Sequence, residues 1–212
     1  KTVREIESAK MAHQKDGAAV TKFIIWIKSQ KVKHLDEIKA QKKLEDFRKK
    51  SNLGGKRNFY QGPSFATISA FEKNGAIIHY NALNHKKTRF KNNSSYLVDS
   101  GGQYKFGTTD VTRTICFGNV NKKRKEIYTR ILKGHIAVNN FDLKKNTMGS
   151  HIDKVARKYL REIGLDYEHG TGHGVGHFLN VHENPPNISK YSKYKFYEGQ
   201  IVSNEPGFYL KN

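Results

Sequence analysis

The stretch that decides the reading of this chain is His169-Gly-Thr-Gly-His173-Gly-Val-Gly-His177-Phe-Leu-Asn-Val-His182, where four of the ten histidines fall within fourteen residues. An H-x3-H spacing on a helix would place two imidazoles on one face. Here glycines stand at 170, 172, 174 and 176, and each costs about 1 kcal/mol in a helix interior, so the helical reading fails. On an extended backbone His169, His173 and His177 would share a face, with glycine neighbours that let another strand or a ligand approach closely. A site is therefore expected here on non-helical backbone.

Working outward, the acids are the next signal, because a chain of net charge +20 has only 19 of them. Asp99 ends the apolar run Tyr96-Leu97-Val98, and Asp110 lies inside the strand-like run Thr108-Thr109-Asp110-Val111-Thr112. Aspartate is depleted in strands and costly to bury unpaired. On facing strands the two carboxylates would stand side by side, where a divalent cation would offset their repulsion. Glu205, in Ile201-Val202-Ser203-Asn204-Glu205-Pro206-Gly207, again puts an acid at the end of a strand-like run. Carboxylates combined with imidazole suit Mn, Co, Zn or Fe better than they suit a thiolate-type site.

The rest of the chain supplies the frame. Apolar spacing predicts helices over 3–29, 35–50, 122–139 and 152–163, the last closed by Gly164, with a break at Gly54-Gly55. Strands are expected at 66–71 and 76–80, joined as a hairpin by Asn74-Gly75. A second pair is expected at 96–99 and 108–117, around Gly101, Gly102 and Gly107. A turn at Pro185-Pro186 leads to a last strand over 201–210. Helices and hairpins that segregate rather than alternate imply an α+β fold.

Composition excludes several classes. Hydrophobic residues at 36% with 11% aromatics support a packed core rather than disorder. No apolar run approaches the length of a membrane span. The single cysteine, Cys116, excludes an internal disulfide framework and suits a reducing, cytoplasmic compartment. The charge invites a nucleic-acid reading, but lysines outnumber arginines 30 to 9 and scatter along the chain. Specific phosphate and base recognition favours the arginine fork, so specific nucleic-acid binding is not expected.

The ordered motifs resemble the catalytic domain of the X-Pro aminopeptidases, the aminopeptidase P group of the pita-bread metallopeptidases, which also include creatinase and the methionine aminopeptidases. The resemblance rests on Asp16-Gly17-Ala18 followed by Trp26, on Asn74-Gly75-Ala76-Ile77-Ile78-His79-Tyr80, and on Asp99-Ser-Gly-Gly-Gln-Tyr104. It continues through Gly107-Thr-Thr-Asp110-Val-Thr-Arg113, Asp166-Tyr-Glu-His169-Gly-Thr-Gly-His173, Val181-His182-Glu183 and Ser203-Asn-Glu205-Pro-Gly. It covers nearly the whole chain, with Asn184-Pro185 standing where the family usually has Gly-Pro.

The resemblance implies one pita-bread catalytic domain over residues 1–212, with the family's N-terminal domains and closing C-terminal strands outside it. It implies two divalent ions, manganese first and zinc or cobalt next. Asp99 would chelate one ion, Asp110 would bridge both, and His173 and Glu205 would hold the second. The family's second bridging Glu lies beyond Asn212, so a chain ending there is expected to load metal poorly and turn over little. Glu205, His79 and His182 would be catalytic. His79, His169, His182 and Tyr209 would contact substrate, a peptide with proline at its second position, and His177 would be structural. A homodimer is compatible with the family. The alternatives are a prolidase or methionine aminopeptidase-like peptidase, or an inactive pita-bread module that binds protein or RNA.

Overall fold

The computed structural model describes residues 1–50, 59–143 and 147–210. The expected break at Gly54-Gly55 lies outside the described residues. The chain divides into two compact units, the first comprising residues 2–120, 177–181 and 210–212, and the second residue 1, 121–176 and 182–209.

The first unit opens with α1 (Val3–Ser29), started by a capping box in which the Thr2 side chain accepts from the Glu5 N–H and Glu5 reaches back to the Thr2 N–H. Its buried positions Ala9, Ala12, Asp16, Ala19, Val20, Phe23 and Ile27 follow a helical stripe. A 3-10 turn, Val32–His34, leads to α2 (Glu37–Lys50). Strand β1 (Tyr60–Pro63) pairs with β4 (Gly102–Tyr104), which continues to β5 (Gly107–Thr108). A second antiparallel sheet has the order β2 (Ile68–Phe71), β3 (Ser94–Ser100), β6 (Val111–Phe117). The core lies between the helices and this sheet. It is built from Phe23 and Ile27 of α1, Leu44 of α2, Phe71, Tyr96, Val98, Ile115 and Phe117, with Phe90 stacked on Phe71 at 4.6 Å.

The expected hairpin through Asn74-Gly75 does not form. Residues 72–76 make a 3-10 helix, residues 77–80 are not a strand, and β2 pairs with β3 instead. The reason is a buried carboxylate. Glu37 accepts from the Phe71 N–H at 2.6 Å, from Asn74 Nδ2 at 2.9 Å and from the Tyr80 hydroxyl at 2.8 Å. That captures the Asn side chain and folds the segment over the start of α2.

The second unit contains α3 (Lys122–Asn139) and α4 (Gly149–Arg161). They pack closely enough that a Cβ on Gly134 would meet the Ala156 carbonyl oxygen at 2.2 Å. Gly164 follows in the left-handed conformation at φ +70°, as a C-terminal stop requires. Ile127, Leu160 and Tyr167 form the core, joined by Ile131, Leu165 and Phe208. Strands β7 (Gly172–Gly174) and β8 (Glu183–Ile188) pair antiparallel. Pro185 and Pro186 thus lie within a strand rather than at the expected turn. The register slips there from His173–Asn187 to Gly174–Glu183, so residues 184–186 have no ladder partner and the missing proline N–H groups are tolerated. The expected strand over 201–210 reduces to a bridge at Val202. Its backbone still tracks β7, with Val175 N–H to Ile201 O at 2.9 Å, Ser203 N–H to His173 O at 2.8 Å and Glu205 N–H to Thr171 O at 2.8 Å. No helix among the described residues is long and apolar enough to cross a membrane.

Candidate metal centre

In the second unit, β7 is a three-residue strand centred on His173. A Cβ on Gly172 would meet the Ser203 carbonyl oxygen at 2.1 Å, and one on Gly174 the Glu183 carbonyl oxygen at 2.2 Å. The glycines flanking His173 are therefore required by strand approach on both sides. His173 Nδ1 donates to its neighbour's carbonyl, Gly174 O, at 2.8 Å, and Nε2 lies 3.1 Å from Glu205 Oε1. With Nδ1 committed to Gly174 O, Nε2 faces Glu205 Oε1: protonated, it donates to that oxygen, and deprotonated, it presents a lone pair beside it. Two donors converging in this way match a shared cation, and a carboxylate with an imidazole fits a divalent ion of the manganese–zinc class.

Ser203 fastens this pair. Its hydroxyl donates to Glu205 Oε1 at 2.6 Å and accepts from the His173 N–H at 2.9 Å. Burial alone would raise the Glu205 carboxyl. The His173 and Ser203 hydrogen bonds outweigh it and hold the group below the usual carboxylate range. His182 packs edge-on to His173, ring centroids 4.3 Å apart. His169 Nδ1 bonds the Gly170 carbonyl at 2.7 Å, leaving Nε2 to accept from the Tyr209 hydroxyl at 2.9 Å.

In the first unit, Asp99 sits on β3 opposite Thr112 of β6. The strand's strict alternation turns Tyr96 and Val98 into the core, so Asp99 faces the other side of the sheet. Asp110 stands one residue before β6. The turn leading to it is pinned: Thr109 N–H donates to Gly102 O at 3.0 Å, Gly102 N–H to Thr109 Oγ1 at 2.8 Å, and Ser64 Oγ to Thr109 O at 2.7 Å. Gly101 has no room for a Cβ, which would lie 1.9 Å from the Thr109 carbonyl oxygen. His79 is exposed and adopts a left-handed backbone at φ +53°, directly before Tyr80 and its bond to Glu37.

The second unit thus gathers His169, His173, His182, Glu205 and Tyr209, while Asp99, Asp110 and His79 are carried by the first. The extended row expected for His169, His173 and His177 is not formed. Only His173 is in a strand, and His177 belongs to the first unit. Sequence reasoning missed Ser203, whose signal was a hydroxyl two residues before Glu205 on the same side of extended backbone. It also missed Asp153, Arg157 and Thr171, whose contacts span separate segments.

Residues 7–212 match the family model described as metallopeptidase family M24. The chain belongs to metallopeptidase family M24. Among M24 relatives, it is 44% identical over 211 residues to a probable Xaa-Pro aminopeptidase P of Arthroderma otae, covering 97% of this chain and 33% of that protein. Among solved M24 structures, it superimposes on an X-prolyl aminopeptidase from Caenorhabditis elegans with TM-score 0.88 and 36% identity. That match covers 100% of this chain and 34% of the other, which is described as a cytosolic enzyme with a di-nuclear active site. A prolidase from Pyrococcus furiosus matches with TM-score 0.83 and 30% identity, over 99% of this chain and 58% of that one. The α+β pita-bread fold expected of an M24 chain is thereby shown. The chain spans about a third of the length of the curated M24 relatives it matches.

Proposed function

We propose that the protein is a cytoplasmic metal-dependent aminopeptidase that removes the first residue from peptides with proline at the second position. The proposed donor set is Asp99, Asp110, His173 and Glu205, holding two divalent ions, of which manganese is the first choice. A homodimer is part of this reading, as is the family's use of a further bridging glutamate. The observation that carries it is the His173–Glu205 pair, whose Nε2 and Oε1 lie 3.1 Å apart while Nδ1 is bonded to the Gly174 carbonyl.

Divalent ions at such a site supply Lewis-acid polarisation of a carbonyl and a water acidic enough to deprotonate at neutral pH. The chain's own residues then handle position and protons. Glu205, kept ionised by Ser203 and His173, accepts a proton at a carboxylate oxygen and returns it to the departing proline nitrogen. His182, edge-on to His173, stabilises the charge that develops on the carbonyl oxygen. His79 contacts the substrate and relays a proton at its imidazole. His169 and Tyr209, bonded at 2.9 Å, line the pocket beside the proline ring.

The test is metal content of the purified protein together with cleavage of X-Pro tripeptides, X-Pro dipeptides and Met-initiated peptides. Cleavage of the tripeptide first, with a divalent metal bound, is expected. Preference for the dipeptide or the Met-initiated peptide would make it another M24 peptidase. A protein that binds no metal, cleaves none of the three and binds RNA with steep salt dependence would overturn the reading.

A further inference from the structure

Helix α4 presents Asp153 and Arg157 one turn apart, each 1% exposed. Arg157 Nε donates to Asp153 Oδ2 at 2.7 Å, which fixes the guanidinium plane. The rest of the fork reaches out of the helix. Nη1 donates to Asp166 Oδ1 at 2.8 Å and to the Tyr167 carbonyl at 2.5 Å, and Nη2 donates to the His169 carbonyl at 2.7 Å. The guanidinium also lies over the Tyr167 ring, 3.8 Å from its centroid. Asp153 Oδ1 accepts from the Thr171 hydroxyl at 2.7 Å, and Thr171 Oγ1 in turn accepts from the Tyr167 hydroxyl at 2.5 Å.

One turn of α4 therefore holds residues 167, 169 and 171 at three points. The free faces of that segment are the functional ones. His169 turns Nε2 to Tyr209, and the Thr171 carbonyl accepts the Glu205 N–H at 2.8 Å. A buried guanidinium must find acceptors for five N–H donors, and which acceptors it takes decides what it holds in place. This one commits two donors to peptide oxygens of the segment that carries His169, a geometry a lysine ammonium cannot reproduce.

We propose that Arg157 is a positioning residue for the substrate pocket: by clamping the Tyr167 and His169 carbonyls it sets the place of the His169 imidazole against Tyr209. The inference rests on the assignment of His169 and Tyr209 to the pocket. Because His169 lines the pocket and is not a proposed metal ligand, a shift of the loop weakens substrate binding more than the chemical step.

The experiment compares Arg157→Lys with the unaltered protein, with Asp153→Asn as a second variant should Arg157→Lys fail to fold. Two readouts are taken: steady-state kinetics on an X-Pro tripeptide, and histidine-selective 15N NMR of the metal-free protein. Expected are a KM raised ~10- to ~100-fold with kcat within about threefold, retained metal content, and a moved His169 resonance beside an unmoved His79 resonance. Unchanged KM and an unmoved His169 resonance, with a lowered melting temperature only, would overturn the proposal and leave Arg157 a structural residue. If the unaltered protein binds no metal, cleaves none of the three peptides and binds RNA, the functional reading fails on those results, and the His169 resonance still decides the clamp.

Discussion

Glu205 Oε1 lies 3.1 Å from His173 Nε2, on the side of the imidazole opposite the bond from Nδ1 to Gly174 O. The ring is oriented by that Nδ1 bond. Its backbone N–H is held by Ser203 Oγ, and the same hydroxyl donates to Glu205. Two side-chain donor atoms from residues thirty-two positions apart are thus aligned by one serine and by the strand-like bonds between 171–175 and 201–205.

Replacing Glu205 with glutamine keeps the size of the group and an acceptor for Ser203, but removes the charge. Bound metal, measured by elemental analysis, is expected to fall well below that of the unaltered protein. X-Pro turnover is expected to fall by ~10²- to ~10⁴-fold, the range for losing a general base. The circular dichroism spectrum should not change. Full metal content with turnover within about threefold would remove Glu205 from both roles.

His182 packs against His173 through its ring edge at 4.3 Å, a contact phenylalanine can make as well. His182→Phe should therefore retain metal and melting temperature while kcat drops ~10²-fold, as expected for a lost proton-transfer or charge-stabilising group. Loss of metal in this variant would instead make His182 a ligand.

Asp16 and Arg48 form a fully buried bidentate pair in the first unit, at 2.7 and 3.1 Å, with Tyr104 and Ser100 completing its hydrogen bonds. Arg48→Ala leaves the Asp16 charge buried without its partner, which costs about 3–5 kcal/mol. Denaturant unfolding should show that loss, and the double variant Asp16→Leu, Arg48→Met should recover most of it. An equal loss in both would mean that packing, not charge, is what the pair supplies.

The outer helices were legible because their apolar spacing is local. The structure returns α1 and α3 with the same bounds, 3–29 and 122–139. The hairpin at Asn74-Gly75 was misread because the residue that overrides it, Glu37, lies far off in the chain. Pro185-Pro186 reads as a turn because missing N–H groups usually break a ladder, and here the register shift between Asn187 and Glu183 tolerates them. The residue types of the proposed metal site stand out in the sequence because acids are placed where acids are uncommon. Arg157 does not: an Asp four residues earlier on a helix reads as an ordinary surface pair, and only the folded loop shows where its other donors go.

Asp166 provides a pH test of the same region. Burial would raise its carboxyl, but bonds from Arg157, the Tyr167 N–H and Arg161 outweigh it and hold the group far below its ordinary value of 3.8. A carboxyl depressed in the folded state contributes stability that is complete above its unfolded value and is lost as pH falls through the folded one. The contribution is on the order of 1 kcal/mol, given partial solvent screening of the pair. Asp166→Asn should therefore lower the urea midpoint by the same amount at pH 7 and pH 6, and the gap should close as the pH drops below 3.8. A gap that stays constant down to acid unfolding would show that the hydrogen-bond geometry of Asp166, not its charge, supports the loop.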